Sequence, residues 1–405
     1  MCADTVARMR SLSNRALSLS ASPTLALDGR LKALAANGVQ VLNLSVGEAD
    51  FPPPSQVIEA AHRALDAGAD RYTDVGGIVP LRTRIAEKLK AENDLDYSPD
   101  EIVVSCGAKH SLFNAFYAIC EVGDEVLIPA PFWVSYPEQV KATGATPVLV
   151  SAGMEDGFKV TPDMLEAHTT PQTKALVLNS PGNPTGAVYD AAELAAIAEF
   201  VERHDLYVIE DLIYEHFYYG DEDRVHSIVE VEPQLRDRVV VVNGVSKAFG
   251  MTGWRIGYTA TSRELTGVMR RAQSQMTSNP TAIAQHAATA ALDHTPWDSI
   301  RAFRDRRATL LSALDAVDGI TCPAPEGAFY AFPDVSGLLG RTHGETVLNT
   351  VDDVCGALLD AHRVGIVPGT GFAAPHHVRI SYAVDPQVLS EALGRIDRFV
   401  SELSG

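Results

Sequence analysis

Short apolar segments recur through the middle of the chain, and segments with helical periodicity separate them. The apolar segments are EIVVS (101–105), DEVLI (the 125–129 region), TPVLVS (146–151), KALVLN (174–179), LYVIED (206–211), VVVVN (239–243) and WRIGYTA (254–260). Helical patterns such as GAKHSLFNAFYAICE and AAELAAIAEFVERH lie between them. This alternation predicts βαβ units and a mostly parallel sheet. Helices on both faces of the sheet explain runs such as VVVV, which do not alternate with polar residues.

The pattern changes after about residue 295. A long charged helical segment, SIRAFRDRRATLLSALDAV, precedes GAFYAF, HHVRISYAV and a closing helix, QVLSEALGRIDRFVSELS. This order predicts a smaller α+β domain, which also recruits the start of the chain because termini often lie close together. The predicted boundaries are 1–50 for the N-terminal arm and part of the small domain, 51–295 for the large domain, and 296–405 for the rest of the small domain.

Composition and charge exclude several classes of protein. The 405 residues are 46% hydrophobic and 21% charged, as in an ordinary globular protein, and their formal net charge is −19. Because nucleic acids and anionic membranes attract basic surfaces, we expect neither as a partner. Five widely spaced cysteines predict reduced thiols in a cytoplasmic enzyme. No apolar run approaches the ~18 residues of a membrane span, and the basic, Ser-rich start is interpreted as a helical arm, not a signal peptide.

Polar residues follow the ends of four predicted strands. They are Gly107, Ala108 and Lys109 after EIVVS, Asn183 after KALVLN, Asp211 and Tyr214 at LYVIED, and Ser246, Lys247 and Arg255 after VVVVN. In open α/β sheets, ligands bind at the carboxyl ends of the strands. Taken singly, Gly107 and Asn183 could be turn residues, Asp211 could cap the next segment, and Lys247 could extend to water. Their convergence at one edge of the sheet favours a binding site.

One cofactor would use this whole set of groups. Pyridoxal phosphate needs a lysine for a Schiff base and an anionic partner for its ring nitrogen. Its phosphate needs helix N-terminal amides, hydroxyls and an arginine. A lysine that is removed from water near other cations has a lowered pKa and becomes a usable nucleophile, which explains Lys247 beside a buried strand. The residues therefore predict a pyridoxal phosphate enzyme.

Five longer motifs make the sequence resemble a known family. They are LNLSVGEADFPPP, RYTDVGGIVPLR, SPGNPTG, SKAFGMTGWRIGY and HHVRISYA, and they are distributed over nearly the whole chain. The sequence resembles the class I aminotransferases of the fold-type-I pyridoxal phosphate superfamily and is most similar to bacterial aspartate aminotransferases. The resemblance implies an α/β fold, in which a large domain has a mostly parallel mixed sheet flanked by helices and a smaller α+β domain is built from both termini.

The resemblance also implies roles for individual residues. The catalytic group would be Lys247, which carries the cofactor and acts as general base and acid, Asp211 at the ring nitrogen and Tyr214 at the phenolic oxygen. The other cofactor-binding residues would be Gly107, Ala108, Lys109, Trp133, Asn183, Ser246, Arg255, and Tyr72, which reaches a neighbouring subunit's phosphate. The substrate would contact Gly47, Trp133, Asn183 and Arg379, the last as the clamp for the α-carboxylate. Shared sites imply a homodimer that uses amino acids and 2-oxo acids in a ping-pong reaction.

The preferred substrate is predicted from one lysine. No arginine lies between Arg271 and Arg301, where many aspartate aminotransferases of animal and enteric type carry one for the distal carboxylate. Lys109 matches the lysine that another bacterial subgroup uses, and Ser22 and Thr24 resemble that subgroup's pocket hydroxyls. We therefore expect Lys109 to recognise the second carboxylate of aspartate or glutamate. The alternative is a surface lysine in the first turn of a helix, where the helix dipole slightly disfavours it.

Other functions remain open on the sequence. An aromatic, prephenate or other specialised substrate suits the same fold, and so does β-lyase, decarboxylase or oxidase chemistry on the same cofactor. A non-enzymatic regulator is disfavoured by the complete set of cofactor groups. No G-x-G-x-x-G follows a strand, so a dinucleotide site is not expected. The spacing of His110, His376 and His377 is not that of metal ligands, and no metal is assigned.

Overall fold

The computed structural model describes residues 12–21 and 23–405. The strands in these residues are β1 (Leu42–Asn43), β2 (Ile102–Ser105), β3 (Glu125–Ala130), β4 (Thr146–Ser151), β5 (Thr173–Asn179), β6 (Tyr207–Asp211), β7 (Val239–Gly244), β8 (Gly257–Ala260), β9 (Tyr330–Ala331), β10 (Thr342–His343), β11 (Thr346–Val347), β12 (Val364–Gly365), β13 (Val367–Pro368) and β14 (Val378–Ser381). The α-helices are α1 (Asn14–Leu17), α2 (Pro23–Ala36), α3 (Ser55–Asp66), α4 (Val79–Asn93), α5 (Ala108–Ile119), α6 (Ser135–Thr143), α7 (Pro162–Glu166), α8 (Ala191–Arg203), α9 (Ile228–Val231), α10 (Arg263–Met276), α11 (Ala282–Leu292), α12 (Trp297–Asp315), α13 (Val351–His362) and α14 (Pro386–Ser401). Across this part of the chain, no helix combines the length and apolar character that crossing a membrane requires.

The central sheet has seven strands in the order β2-β8-β7-β6-β5-β3-β4. Its pairs are parallel except for those of β8, which runs antiparallel to both β2 and β7. Every residue of β7 is buried, because helices cover both faces of the sheet. The expected mostly parallel α/β sheet is therefore confirmed, and the four-valine run forms an interior strand, between β8 and β6.

The orientation of β8 explains why the candidate residues do not all follow their strands. Gly244 at the end of β7 pairs with Gly257 at the start of β8. Residues that precede β8 therefore lie at the same edge as residues that follow the parallel strands. This places Arg255, which precedes its strand, next to Ser246 and Lys247, which follow theirs.

One predicted strand is shorter than expected. We expected WRIGYTA to be extended from residue 254, but Thr252–Trp254 forms a 3-10 turn and the strand begins only at Gly257. Arg255 between them adopts a left-handed backbone conformation with φ of 57°. The turn brings the Arg255 guanidinium to the carbonyl oxygens of Thr252 and Cys106, at 2.7 and 3.4 Å.

Smaller sheets tie the two ends of the chain together. β1 pairs in parallel with β12, and β9, β14 and β13 form an antiparallel three-stranded sheet. The described N-terminal segment is thus joined to the C-terminal one, as a small domain built from both termini requires. The domain boundaries at residues 51 and 295 stay predictions.

Candidate active site

A cavity of about 500 Å³ opens at the carboxyl-end edge of the central sheet. Its lining includes most of the residues that the sequence singled out, namely Thr24, Gly47, Ala108, Lys109, Trp133, Asn183, Asp211, Tyr214, Ser246, Lys247, Arg255 and Arg379. These residues come from α2, the first turn of α5, the end of β6, the loops after β1, β3, β5, β6 and β7, the turn before β8, and β14. The fold therefore brings together residues that span most of the sequence.

Lys247 lies at this cavity without an anionic partner. Its Nζ donates a hydrogen bond of 2.6 Å to the carbonyl oxygen of Gly47, and none of the described carboxylates forms an ion pair with it. Burial lowers the pKa of Lys247 to about 8, against a smaller opposing effect of Glu48. A substantial fraction of Lys247 is therefore the neutral amine near pH 8, the form that can act as a nucleophile or base.

Gly47 allows this close approach. A β-carbon at this position would collide with the hydroxyl group of Tyr330. The absence of a side chain lets the backbone of residue 47 pass between Lys247 and Tyr330. A glycine is thus required by packing at this position, whatever else it binds.

Asp211 is a buried carboxylate at the end of β6, with 3% of its surface exposed. Its Oδ2 accepts a hydrogen bond of 2.7 Å from the Tyr136 hydroxyl, and its Oδ1 accepts one of 3.1 Å from the amide of Ile213. Burial raises the pKa of Asp211 to about 6, although both hydrogen bonds favour the charged form. A cationic partner in the cavity would keep this carboxylate ionised.

Arg379, Asn183 and Tyr214 form a buried chain of polar contacts. Arg379 on β14 donates to the Asn183 side-chain oxygen at 3.0 Å and to the Ser45 carbonyl oxygen at 2.8 Å. The Asn183 amide lies 3.5 Å from the Tyr214 hydroxyl, which lies 2.9 Å from the Tyr330 hydroxyl. The Nε of Arg379 is buried and has no hydrogen-bond partner among the described residues. This guanidinium therefore retains a donor for a bound anion.

The N-terminus of α5 faces the same cavity. Gly107 adopts a φ of +88°, and a β-carbon there would meet the Arg255 guanidinium. Ala108 is the first residue of the helix, which has no side-chain cap, so its first amides have no intrahelical partner. Such an end binds anions through its free N–H groups and its dipole. Ser246, which is buried, and Arg255 line the cavity with it.

Lys109 and Trp133 lie at the cavity mouth. The Nζ of Lys109 is 5.0 Å from the centroid of the Trp133 ring, and Lys109 is exposed to solvent. Partial burial of its side chain and the charge of Arg255 lower the pKa of Lys109. Thr24 lines the cavity from the first turn of α2.

Of the predicted residues that the structure describes, Gly107 and Tyr72 are not part of this lining. Tyr72 lies in the loop between α3 and α4 with 90% of its surface exposed, as a residue reaching another subunit would be. Ser22 falls outside the described residues. Their predicted roles stay predictions.

Sequence reasoning missed several lining residues. Tyr136 follows Trp133 by three residues, and Tyr330 lies in the GAFYAF segment, which the sequence analysis assigns only to the small domain. Ser45 precedes Gly47 by two residues and offers its carbonyl oxygen to Arg379. Its position close to Trp133 in the sequence could have suggested that Tyr136 lines the site, but no local pattern indicates Tyr330.

A second buried lysine–carboxylate pair lies in the same part of the fold. Lys88 on α4 forms an ion pair with Glu215, the residue after Tyr214, and a second one of 3.3 Å with Glu92. The Oδ1 of Asn93 accepts from Lys88 at 2.7 Å, and the amides of Asn93 and Asn243 donate to Glu215 at 2.6 and 2.5 Å. Burial opposes ionisation of Glu215, but Lys88, His216 and the hydrogen bonds outweigh it and lower its pKa.

Comparison with known proteins gives consistent results. A family model described as "Aminotransferase class I and II" matches residues 39–396. An aspartate/prephenate aminotransferase from Cereibacter sphaeroides is 46% identical over 402 residues, covering 98% of this chain and all of that one. An aspartate aminotransferase from Bacillus subtilis is 43% identical, covering 97% of this chain and all of that one.

Two solved structures are similar throughout. The aspartate aminotransferase from Rhizobium meliloti has a TM-score of 0.93 at 40% identity, covering 98% of this chain and all of that one. The Thermus thermophilus aspartate aminotransferase with maleate has a TM-score of 0.89 at 41% identity, covering 96% of this chain and all of that one. The expected fold class is confirmed by these matches.

Proposed function

The chain belongs to the class I and class II aminotransferase family, and from that premise we propose that it transfers the amino group of aspartate, or of glutamate, to a 2-oxo acid such as 2-oxoglutarate. One observation carries this proposal. Among the described residues, four cationic side chains at the cavity have no anionic partner: Lys109, Lys247, Arg255 and Arg379. In a chain of net charge −19, such a cluster indicates a ligand set that carries several negative charges.

Pyridoxal phosphate fits these residues. The uncapped end of α5, with Ser246 and Arg255, offers amide, hydroxyl and guanidinium donors for a phosphate. The buried Asp211, whose pKa is raised to about 6, suits a protonated ring nitrogen, and the neutral form of Lys247 suits an aldehyde. Tyr214 and Asn183 can hold the phenolic oxygen, and Trp133 can cover the ring. When bound, the cofactor supplies an aldehyde and an electron-withdrawing ring.

The residues of the chain divide the remaining work. Nζ of Lys247 takes the proton from the substrate α-carbon and later returns one, which requires an amine with a pKa near the working pH. Burial gives Lys247 that pKa. Tyr136 holds Asp211 in one orientation by donating to its Oδ2. The walls formed by Tyr330 and Trp133 limit water at the reacting atoms.

Arg379 is proposed to bind the substrate α-carboxylate. A guanidinium offers a planar pair of donors that matches a carboxylate, which an ammonium group does not. Asn183 and the Ser45 carbonyl hold two of its nitrogens, while the buried Nε lacks a protein partner. The orientation of Arg379 is thus fixed before the substrate arrives.

Lys109 is proposed to bind the distal carboxylate. It is a cation at the cavity mouth with a lowered pKa and no partner carboxylate among the described residues. Relatives named as aspartate aminotransferases, and a neighbour solved with maleate, a dicarboxylate, support a substrate with two carboxylates. Thr24, and Ser22 by the sequence resemblance, would complete this subsite.

A second substrate deserves the same assay, because the relative from Cereibacter sphaeroides is named for prephenate as well as aspartate. Prephenate also carries two carboxylates, so the same two cations would bind it. We further propose a cytoplasmic homodimer in which the exposed Tyr72 completes the partner's phosphate site.

The test is a substrate panel with purified protein and added pyridoxal phosphate. Aspartate with 2-oxoglutarate or prephenate as acceptor, and glutamate with oxaloacetate or prephenate, should give oxo acids faster than apolar donors do. Release of ammonia with pyruvate, or of peroxide, in place of a stoichiometric amino product would contradict the proposal. Sedimentation of the same sample tests the dimer.

A further inference from the structure

Three side chains from separate elements meet near the C-terminal end of the chain. His343 lies in β10, His362 is the last residue of α13, and Glu402 follows α14 directly. Nε2 of His362 lies 2.9 Å from Oε2 of Glu402, and Nε2 of His343 lies 3.4 Å from the same oxygen. All three atoms lie within 4.8 Å of one another. None of the three residues lines the active-site cavity.

These distances suit a tetrahedral metal ion. Zn²⁺ binds imidazole nitrogen and carboxylate oxygen at about 2.0–2.2 Å, so two ligand atoms of a tetrahedron lie about 3.3 Å apart. The two distances to Glu402 are close to that value. Two histidines, one carboxylate and a water molecule would complete four-coordination.

Packing holds the ligands in place without a metal. The rings of His343 and His362 lie against Phe399 of α14, with centroid distances of 5.2 and 5.8 Å. Thr342 and Ser404 exchange backbone hydrogen bonds of 2.8 and 3.0 Å. These bonds fix the β10–β11 hairpin beside the end of α14. Metal binding would therefore cost little further conformational entropy, which favours high affinity.

A second cluster, of two glutamates and one histidine, shows what excludes a metal. Glu92, Glu215 and His216 also place three ligand atoms within 4.8 Å. There, the ammonium group of Lys88 pairs with both carboxylates. At Glu402, in the part of the chain that the structure describes, the ion pairs come from the two histidines and not from any lysine or arginine. An ammonium group thus already occupies one cluster, whereas the carboxylate of the other faces only the two imidazoles that would be its fellow ligands.

We propose that His343, His362 and Glu402 bind a divalent transition-metal ion, Zn²⁺ in the first instance. The imidazole and carboxylate set selects such ions over Mg²⁺ and Ca²⁺, which prefer oxygen ligands. On binding, the two imidazole contacts to Glu402 are replaced by coordination, so each neutral ring carries its proton on Nδ1. The ion joins the hairpin, α13 and α14. Its effect is therefore on the stability of the C-terminal segment and not on the chemistry of the active site.

The test uses the holoenzyme after treatment with a chelator. After equilibrium dialysis against micromolar ZnCl₂, the wild type should hold one more zinc ion per chain than His343→Asn or Glu402→Gln does. Zinc at about a hundredfold its Kd should raise the Tm of the wild type by roughly 2–5 °C. The variants should lose this shift, and MgCl₂ should produce none in any protein.

The matched control is His294→Asn, an exposed histidine outside the cluster, which should behave as the wild type. Equal zinc content and equal shifts in the wild type and the cluster variants would overturn the proposal. The proposal would also fail if the variants had a lower Tm without metal and the Tm of the wild type did not respond to zinc. The cluster would then stabilise the fold through its hydrogen bonds alone. Neither readout depends on transaminase activity.

Discussion

Two buried lysine–carboxylate arrangements lie close together in this protein, and they differ in how far their charges are satisfied. Lys88 has three acceptors, and Glu215 is held by Lys88, Asn93 and Asn243. Among the described residues, Lys247 donates only to a backbone carbonyl, and Asp211 accepts from a hydroxyl and an amide.

The pKa values follow this difference in contacts. The pKa of Glu215 is lowered in spite of burial, whereas burial lowers the pKa of Lys247 to about 8 and raises that of Asp211 to about 6. A buried ion pair whose charges and hydrogen bonds are all met within the protein, such as Lys88 with Glu215, has a structural role. Groups left incompletely paired in a cavity are available to a ligand, which is the usual signature of a functional site.

The largest effect is expected for Lys247→Ala. Loss of the amine removes both the attachment point and the general base, so kcat/KM should fall by about 10⁴-fold or more. The unfolding midpoint should change little, because the substitution also removes an unpaired cation. Oxo acid formation and thermal unfolding are the measurements. Activity above a tenth of the wild-type value would refute the role of Lys247.

Asp211→Asn tests the second group proposed to hold the cofactor. The amide has nearly the same shape as the carboxylate but carries no charge. With cofactor bound, Asp211 would balance the protonated ring nitrogen, and removing one partner of such a buried charge pair costs about 3–5 kcal/mol, or roughly 10²–10⁴-fold in rate. The amide carries no charge that must be buried, so the unfolding midpoint should not drop. A variant that is destabilised but keeps its kcat would place Asp211 with the structural pair instead.

Glu215→Gln makes the same carboxylate-to-amide change in the Lys88–Glu215 pair. It should lower stability and leave activity intact, the opposite of what is expected for Asp211→Asn. Lys88 stays buried with one charge less beside it, so the free energy of unfolding should fall by about 3–5 kcal/mol. The kcat of the folded protein should stay within about twofold. Urea unfolding and a saturated assay measure the two quantities.

Two further variants of this pair act as controls. The double variant Lys88→Met/Glu215→Leu should recover much of the stability lost in Glu215→Gln, because no unpaired charge remains. Lys90→Met breaks the exposed pair of Lys90 with Asp94 on the same helix and should leave the midpoint unchanged. If Lys90→Met and Glu215→Gln were equally destabilising, burial would not be the cause.

Lys109→Ala should have a smaller and substrate-dependent effect. Loss of a charge-assisted contact of ~1.5–3 kcal/mol should lower kcat/KM for aspartate about tenfold to a hundredfold. An apolar or aromatic donor should be affected much less. Lys141→Ala, which breaks an ion pair with Glu138 outside the cavity, is the control. An equal loss for all donors would remove the claim of distal recognition.

The smallest effect concerns pH. Because burial lowers the pKa of Lys247 from 10.5 to about 8, the neutral amine increases as pH rises through 8 and is nearly complete by pH 9. The rate at which apoprotein takes up pyridoxal phosphate should rise about tenfold between pH 7 and 9 and then level off. A rate that still climbs steeply at pH 10 would indicate an ordinary, solvated lysine.

The sequence by itself determined the alternation of strands and helices, the mostly parallel sheet and the family. Periodicity and turn residues are local, and the motifs at strand ends carry their residue types in short segments. This is why Lys247, Asp211 and Asn183 could be singled out from the sequence, although their roles await the experiments above. The exact start of β8 was missed, since it depends on the left-handed backbone of Arg255, where side-chain contacts outweigh strand propensity.

The tertiary structure alone decided which side chains satisfy one another. Tyr330 reaches Tyr214, Lys88 reaches Glu215, and His343 reaches Glu402 across long stretches of chain. No local pattern encodes such contacts, because they depend on how separate elements pack. The same packing removes water from Lys247 and Asp211 and so sets their pKa values, which residue type alone does not fix.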